Sequence, residues 1–468
     1  MLLNRREFAK SSLAALGFLA LPGTPVFAAP AGWKPDRKPN LVFGILSDTH
    51  LLVGWDGKSP HRDFPLKYVH AAMKLFKRRN IDAFVHLGDA AHRGAVREWE
   101  FHKELFRDVF GKRNTPETIV IVGNHEYYGK DARIKKIWPD PDKWKENAIC
   151  ADVARHYERV WGAPYKEFFH KEVKGCHFFG RHWTDAEYDG TREGPFSDYI
   201  LSKAGECALK GAKPFFILSH RRHHFRFCKS LKDYPNAIAF MGHWHQSNAD
   251  WKTIYCDRDS FGGFFPHVEV GACRFDGHNG MYRPLETVQP EDSGSFKGSY
   301  MPSRQAMIVN VYDSMVVFER HEVGLGGKLG PDWVLPLGEY SPHPFSQEEL
   351  KKTIGEPQFG RNAKLAVKRI SSAPPRIQVR IPLADGNPGS RVYAYEVAVT
   401  GDDPDARLCK SAYSKGCNVA PGREPNRGIT EVDIPVAELP AGKKLAIAVR
   451  PFSSLGTAGH PISTVFRA

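Results

Sequence analysis

Five short polar motifs punctuate the first half of the chain, built from residue types that hold metals and move protons. They are Asp48-Thr-His50, Gly88-Asp89, Gly123-Asn124-His125-Glu126, the isolated His220, and Gly242-His243-Trp-His245. Carboxylate, imidazole and amide oxygen together suit hard to borderline divalent cations such as Mn, Fe or Zn, whereas an all-cysteine set selects differently. One carboxylate bridging two cations about 3.5–4 Å apart would clamp a phosphoryl group and generate hydroxide at neutral pH. A lone Asp-x-His or Gly-Asp arises by chance in a chain of 468 residues. Five such motifs in order, each just past an apolar run, do not read as scattered core side chains.

The elements that must position them follow from periodicity. Leu41–Leu46 is a continuous apolar run, expected as a buried strand, and Pro65–Arg79 repeats its apolar residues at helical spacing. Ala83–Leu87 and Thr118–Val122 read as strands with a helix, Val96–Phe110, between them. A helix is expected over Asp142–Trp161, a hairpin over Phe168–Val173 and Cys176–Gly180, and strands at Phe215–Leu218 and Ala237–Met241. This alternation predicts a layered α/β core. Each motif then closes a strand, and side chains at the carboxyl ends of parallel strands share one crevice. Past residue 250 the pattern turns β-rich, with Phe265–Val270, Met307–Tyr312, Met315–His321 and Leu335–Leu337.

In this order and context the motifs resemble those of calcineurin-like metallophosphoesterases, over roughly residues 40–325. The resemblance implies the family's layered α-β-β-α sandwich and a site for two divalent metal ions. By the same resemblance Asp48, His50 and His245 would hold the first metal, Asn124, His220 and His243 the second, and Asp89 would bridge them. His125 would not ligate; it would stabilise or protonate the leaving oxygen while a hydroxide held by the metals attacks phosphorus in line. Many relatives have a carboxylate three residues after the bridging Asp to orient that histidine, and here His92 stands there. Purple acid phosphatases have a ligating Tyr at this position and lack the first His; with His92 and His50 present, a purple site is not expected.

Further candidates surround this set. Arg221, Arg222 and Arg226 follow His220 in a cationic run, and Arg forks match phosphate oxygens. Arg93, His61, Arg62 and His92 lie in the neighbouring loops, and Tyr127-Tyr128 could stack on a base or sugar. Trp244 reads as a packing residue, and Glu126 as a cap on a neighbouring loop. The expected substrate is a small anionic phosphomonoester or phosphodiester, and the motifs do not separate the two. Two other readings stay open: a glycan- or partner-binding protein with a non-catalytic metal core, and an exported nuclease or 5′-nucleotidase.

Composition narrows these choices. Lys plus Arg number 66 against 53 Asp plus Glu, a formal +13, with 41% hydrophobic residues, which excludes a disordered or fibrous chain. The excess is scattered, without the long basic stripe interleaved with aromatics that a nucleic-acid partner calls for. Residues 1–28 hold Arg5-Arg6, an apolar stretch and Val26-Phe27-Ala28. They resemble a twin-arginine export signal, which implies a periplasmic or secreted protein. No later apolar run reaches the roughly 18 residues of a membrane span. Of eight cysteines none forms a CxxC pair, and Cys409 with Cys417 is expected as a disulfide. The domain reading is a signal at 1–28, a phosphoesterase domain at 40–340, a linker at 341–358, and a fibronectin type III-like all-β sandwich at 359–468.

Overall fold

A computed structural model describes residues 35, 37–53, 58–60, 66–111, 115–130, 153–184, 193–211, 213–223, 225–249, 251–256, 264–274, 304–338, 340, 343–385, 392–403, 405–416 and 420–467. The expected export signal, His61, Arg62 and Cys417 lie outside these residues. Its chain order begins β1 (Leu41–Leu46), α1 (Lys67–Arg78), β2 (Ala83–His86), α2 (Val96–Phe110) and β3 (Glu117–Val120). Then come α3 (Val153–Trp161), β4 (Phe168–Val173), β5 (Cys176–Arg181), α4 (Glu193–Glu206), β6 (Phe215–Leu218), α5 (Phe225–Ser230) and β7 (Ala237–Met241). After these lie β8 (Ile254–Tyr255), β9 (His267–Glu269), β10 (Gln305–Val311), β11 (Met315–Glu322), β12 (Trp333–Pro336) and α6 (Gln347–Thr353).

Two mixed six-stranded sheets result, ordered β12-β11-β10-β1-β2-β3 and β4-β5-β6-β7-β9-β8. β1, β2 and β3 run parallel in the first, and β5, β6, β7 and β9 in the second. The apolar run of β1 works because both its faces are buried. Leu41, Phe43 and Ile45 join Phe178, Phe216 and Phe240 of the second sheet in one core, while Leu46 and Val42 join the helix side. There Val69, Ala72, Met73 and Phe76 of α1 meet Phe101 and Phe106 of α2 over Phe84 and Ile308. The second sheet likewise turns Phe179, Phe215 and Ile217 toward Phe196 and Ile200 of α4 and Phe227 of α5. No described helix is long and apolar enough to cross a membrane.

The remaining chain is strand-rich: β13 (Ala366–Ile370), β14 (Arg376–Ile381), β15 (Val392–Thr400), β16 (Arg407–Tyr413), β17 (Thr430–Pro435), β18 (Lys444–Ser453) and β19 (Ile462–Arg467). These form sheets β13-β14-β17 and β16-β15-β18-β19 around one core containing Ile377, Val379, Tyr395, Val397, Ile447 and Val449. Cys409 is exposed on β16.

Three helices, α4, α5 and α6, are not among the elements expected from the sequence. Helix α6 occupies the segment read as a linker: Ser346 Oγ accepts from Glu349 N at 3.3 Å as its N-cap, and Leu350 and Ile354 enter the core between the large sheets. Leu455 of the C-terminal unit joins that same core.

Candidate active site

The five motifs meet where parallel strands of both sheets end. Asp48 follows β1, Asp89 follows β2, Asn124 and His125 follow β3, His220 follows β6, and His243 and His245 follow β7. Asp48 N donates to Gly88 O at 3.1 Å and His50 N to Asp89 O at 2.9 Å, so the first two loops remain zipped beyond their strands. Asp48, His50, Asp89, His243 and His245 all sit at positive φ, between +43° and +71°. For non-glycine residues this conformation costs about 1–3 kcal/mol each and persists only where the surroundings enforce it. It turns successive side chains toward one centre instead of alternating them as an extended strand would. Close approach explains two of the motif glycines. A Cβ on Gly123 would overlap Asp89 Oδ1, and one on Gly242 would overlap Ser47 Oγ.

Two groups of ligand atoms emerge, Asp48 with His50 and His245, and Asp89 with His220 and His243. His245 Nε2 lies 3.2 Å from Asp48 Oδ1, and His50 Nε2 lies 3.0 Å from His245 Nε2. In the second group His220 Nε2 is 3.2 Å from Asp89 Oδ2, and Asn124 Oδ1 is 3.0 Å from both His220 Nε2 and His243 Nδ1. Asp89 Oδ2 is 3.7 Å from His50 Nε2, so this carboxylate faces both groups. His220 Nδ1 donates to Leu87 O at 2.7 Å, which leaves Nε2 as a lone pair aimed at two oxygens. Among the described residues nothing donates a hydrogen bond to buried Asp48 Oδ1, which faces His245 Nε2. Lone pairs converging on lone pairs need a cation between them, so the donor set fits two divalent metals.

The electrostatics agree. Burial, with neighbouring imidazoles, pushes His50 down to about 3 and His243 down to about 4, so both are neutral ligands at pH 7. Burial acts against the charge of Asp89 too, yet His220, His125 and His50 hold it well below the usual carboxylate range. His220 moves the other way: burial opposes its charge, but Asp89 and Asp48 carry it up to about 10. The field that would hold a proton there would hold a metal cation instead.

His125 has a settled orientation. Its Nδ1 donates to the His92 carbonyl at 2.7 Å, its N donates to Asp89 Oδ1 at 2.9 Å, and its Nε2 points 3.8 Å from Asp89 Oδ2. The backbone of His92 therefore does what a carboxylate does in many relatives. The His92 ring stacks on His125 at 5.3 Å and accepts at Nδ1 from Arg274 Nη1 at 2.9 Å. Glu126 is buried and ties its own loop to the one after β2, accepting from Asp89 N (3.0 Å), Gly123 N (2.6 Å) and Ala91 N (2.8 Å).

The substrate candidates divide. Arg222 donates to Glu269 Oε1 at 3.2 Å and lies over the Tyr255 ring, which ties it to β8 and β9. Tyr127 shares a hydrogen bond with the Tyr165 hydroxyl at 3.0 Å and packs beside Val120, Val122 and Trp161. Arg221 is half-buried beside His220 and Arg226 is exposed. Trp244 packs edge-on against the His243 ring. Arg274 and Trp183 were missed by sequence reasoning. Arg274 N donates to Asp48 O at 3.2 Å, and the Trp183 ring lies 5.7 Å from His243. Neither stands near a motif in sequence, so pattern alone carries no sign of them.

The calcineurin-like phosphoesterase family model matches residues 41–247. No curated protein matches the chain. Among solved structures, a dimetal phosphatase from Danio rerio is 11% identical, covering 64% of this chain and 100% of its own, with a TM-score of 0.38. A purple acid phosphatase from yellow lupin (Lupinus luteus) seeds is 12% identical, covering 64% of this chain and 55% of its own, with a TM-score of 0.38. An archaeal phosphodiesterase is 13% identical, covering 58% of this chain and 93% of its own, with a TM-score of 0.26. The family match closes two residues after His245 and so spans all five motifs: this chain carries a calcineurin-like phosphoesterase domain.

Proposed function

We propose that the chain is an exported, dinuclear-metal phosphoesterase that hydrolyses a small phosphomonoester or phosphodiester. Its catalytic unit is an α-β-β-α sandwich, and residues 359–468 form a fibronectin type III-like sandwich docked on it. One observation carries the reading: Asp, Asn and His donors from five strand-end loops converge with lone pair facing lone pair. Export is supported by Arg5-Arg6 and the apolar stretch ending at Ala28.

Asp48, His50 and His245 would hold one cation, Asn124, His220 and His243 the other, and Asp89 both. Bound there, a metal pair supplies Lewis-acid polarisation of the phosphoryl group and a nucleophilic water at neutral pH. The chain's own residues do the rest. Neutral His50 and His243 keep their lone pairs inward, and the Leu87 carbonyl fixes the tautomer of His220. His125, with Nδ1–H tied to the His92 carbonyl, presents Nε2 to the cleft. An anionic phosphoester beside Nε2 favours its protonation, and that proton is delivered to the leaving oxygen. Trp183, packed beside His220 and His243, walls the second metal group from water.

The test is hydrolysis of bis-p-nitrophenyl phosphate beside p-nitrophenyl phosphate by residues 29–468, stripped of metal and refilled with Mn, Fe or Zn. Metal-restored turnover of either ester is expected, and the preferred one assigns a diesterase or a monoesterase. No turnover with any metal defeats the proposal.

A further inference from the structure

A second set of metal-binding side chains lies far along the fold from the catalytic loops. His170 on β4 and His177 on β5 share the face of that hairpin that carries Phe168 and Phe179 and packs against α4. Their ring planes are 12° apart with centroids at 5.1 Å, and Nε2 of His170 lies 2.9 Å from Nδ1 of His177. That contact is a ring-to-ring hydrogen bond whose donor depends on the tautomer, and because it is shorter than ring faces approach, about 3.5 Å, the imidazoles meet nitrogen to nitrogen, where a shared cation can take the place of the proton between them. Cys207 completes the group: one ligand atom from each of the three residues lies within 4.8 Å of the others. Because β5 runs parallel to β6, His177 near its start stands at the opposite end of the sheet from His220.

The thiol is held in place by the backbone. Cys207 directly follows α4, and its N donates to Lys203 O at 2.9 Å. Ala208 N donates to Gly205 O and Leu209 N to Ala204 O, with Ala208 at φ +51°, a left-handed helix ending around the cysteine. A helix C-terminus favours a cation, and Glu206 stands near His170 paired with Lys203 at 2.6 Å.

We propose that His170, His177 and Cys207 form a third metal site that takes a borderline-soft divalent cation of the zinc class, pinning the β4–β5 hairpin to the end of α4. Two imidazole nitrogens and a thiolate are zinc donors at about 2.0–2.1 Å and 2.3 Å, so ligand atoms on one tetrahedral ion stand about 3.3–3.6 Å apart, within small side-chain rotations of those found here. Three protein ligands leave a fourth position to water.

The experiment uses the full chain with Zn²⁺ and Co²⁺ as probes. Zinc-loaded, desalted protein is expected to carry three metals per chain by mass spectrometry, falling to two in Cys207→Ser and His170→Gln with unchanged circular dichroism. Cobalt loading is expected to give a sulfur-to-cobalt charge-transfer band, since the dinuclear set contains no thiol. That band should survive Cys409→Ser and vanish in Cys207→Ser. A wild-type protein without the band, or a band that persists in Cys207→Ser, overturns the proposal. A band with fewer than two further metals bound would instead count against the dinuclear reading and leave this site standing.

Discussion

The loops that gather the metal ligands and the strands of the C-terminal sheets bury their side chains for different reasons. Around the motif loops the buried residues are Asp48, His50, Asp89, Asn124, Glu126 and His220, and five of the seven candidate ligand residues hold positive φ. In the C-terminal sheets the inward residues are Ile, Val and Tyr at alternate positions, as in Ile377, Val379 and Ile381 of β14. Of 21 histidines only the exposed His460 lies after residue 359. The first region spends conformational strain and desolvation to concentrate ligands; the second is stabilised by ordinary apolar burial. Substitutions in the first should therefore be read in activity, and substitutions in the second in stability.

The sharpest separation comes from Asp89→Asn, which removes the carboxylate facing both ligand groups. It should lower kcat/KM at least about a thousandfold, on the order of 4 kcal/mol of transition-state stabilisation. Steady-state kinetics on metal-refilled protein would show it, and activity within tenfold of wild type would break the comparison. Ile447→Ala in β18 should act oppositely. Loss of its buried side chain is expected to cost about 3 kcal/mol, measured as faster hydrogen exchange of β15 and β18 amides, with kcat unchanged.

Acid should also divide the two regions. Burial lowers both His182 and His267 to about 3, from 6.5 in the unfolded chain, with His223 adding to the effect at His267. Below pH 6.5 the unfolded state takes up protons that the folded state refuses, so stability falls as pH drops toward 3. Each histidine contributes about 1.4 kcal/mol per pH unit inside that window. Protection factors, corrected for the slower intrinsic exchange at low pH, should therefore fall in β7 and β9 between pH 7 and pH 5, while those of β15 and β18 hold; parallel loss in both would contradict the assignment. Tyr395→Phe is a smaller probe. The buried hydroxyl accepts from Ala384 N at 3.0 Å and donates to Pro382 O at 3.3 Å, so its removal should cost about 1–2 kcal/mol in the C-terminal sheets alone. The smallest effect expected is that of His92→Ala on kcat, about threefold or less, because the carbonyl and not the imidazole holds His125. A hundredfold loss would show that the ring itself serves the reaction.

Much of this molecule was legible before any tertiary structure. Apolar runs placed β1, β2, β6 and β7 within a residue or two, because a strand buried on both faces leaves an unbroken apolar signature. Helix α4 was not legible: Gly194-Pro195 opens it, and Phe196, Ile200 and Ala204 make a stripe too sparse to stand out. Helix α6 did carry a signal, Ser346 with Glu349 three residues on, masked by the prolines around it. In the site, the ligand types were plain because each motif repeats a chemistry that few other residues supply.

The sequence by itself determined which donors are available and that each sits just past a strand, since chemistry and periodicity are both properties of the one-dimensional chain. Only the tertiary structure decided what stands beside them. The group holding His125 is a backbone carbonyl, which every residue possesses and no motif can mark. Arg274 reaches His92 across 182 positions, and Cys207 meets His170 and His177 through a helix ending that the sequence did not reveal. Arg222 and Tyr127, candidates because they adjoin the motifs, take partners the sequence did not show, Glu269 and Tyr165, 47 and 38 positions away. Adjacency along the chain fixes where a backbone goes; partners brought in from distant elements fix what each side chain can do.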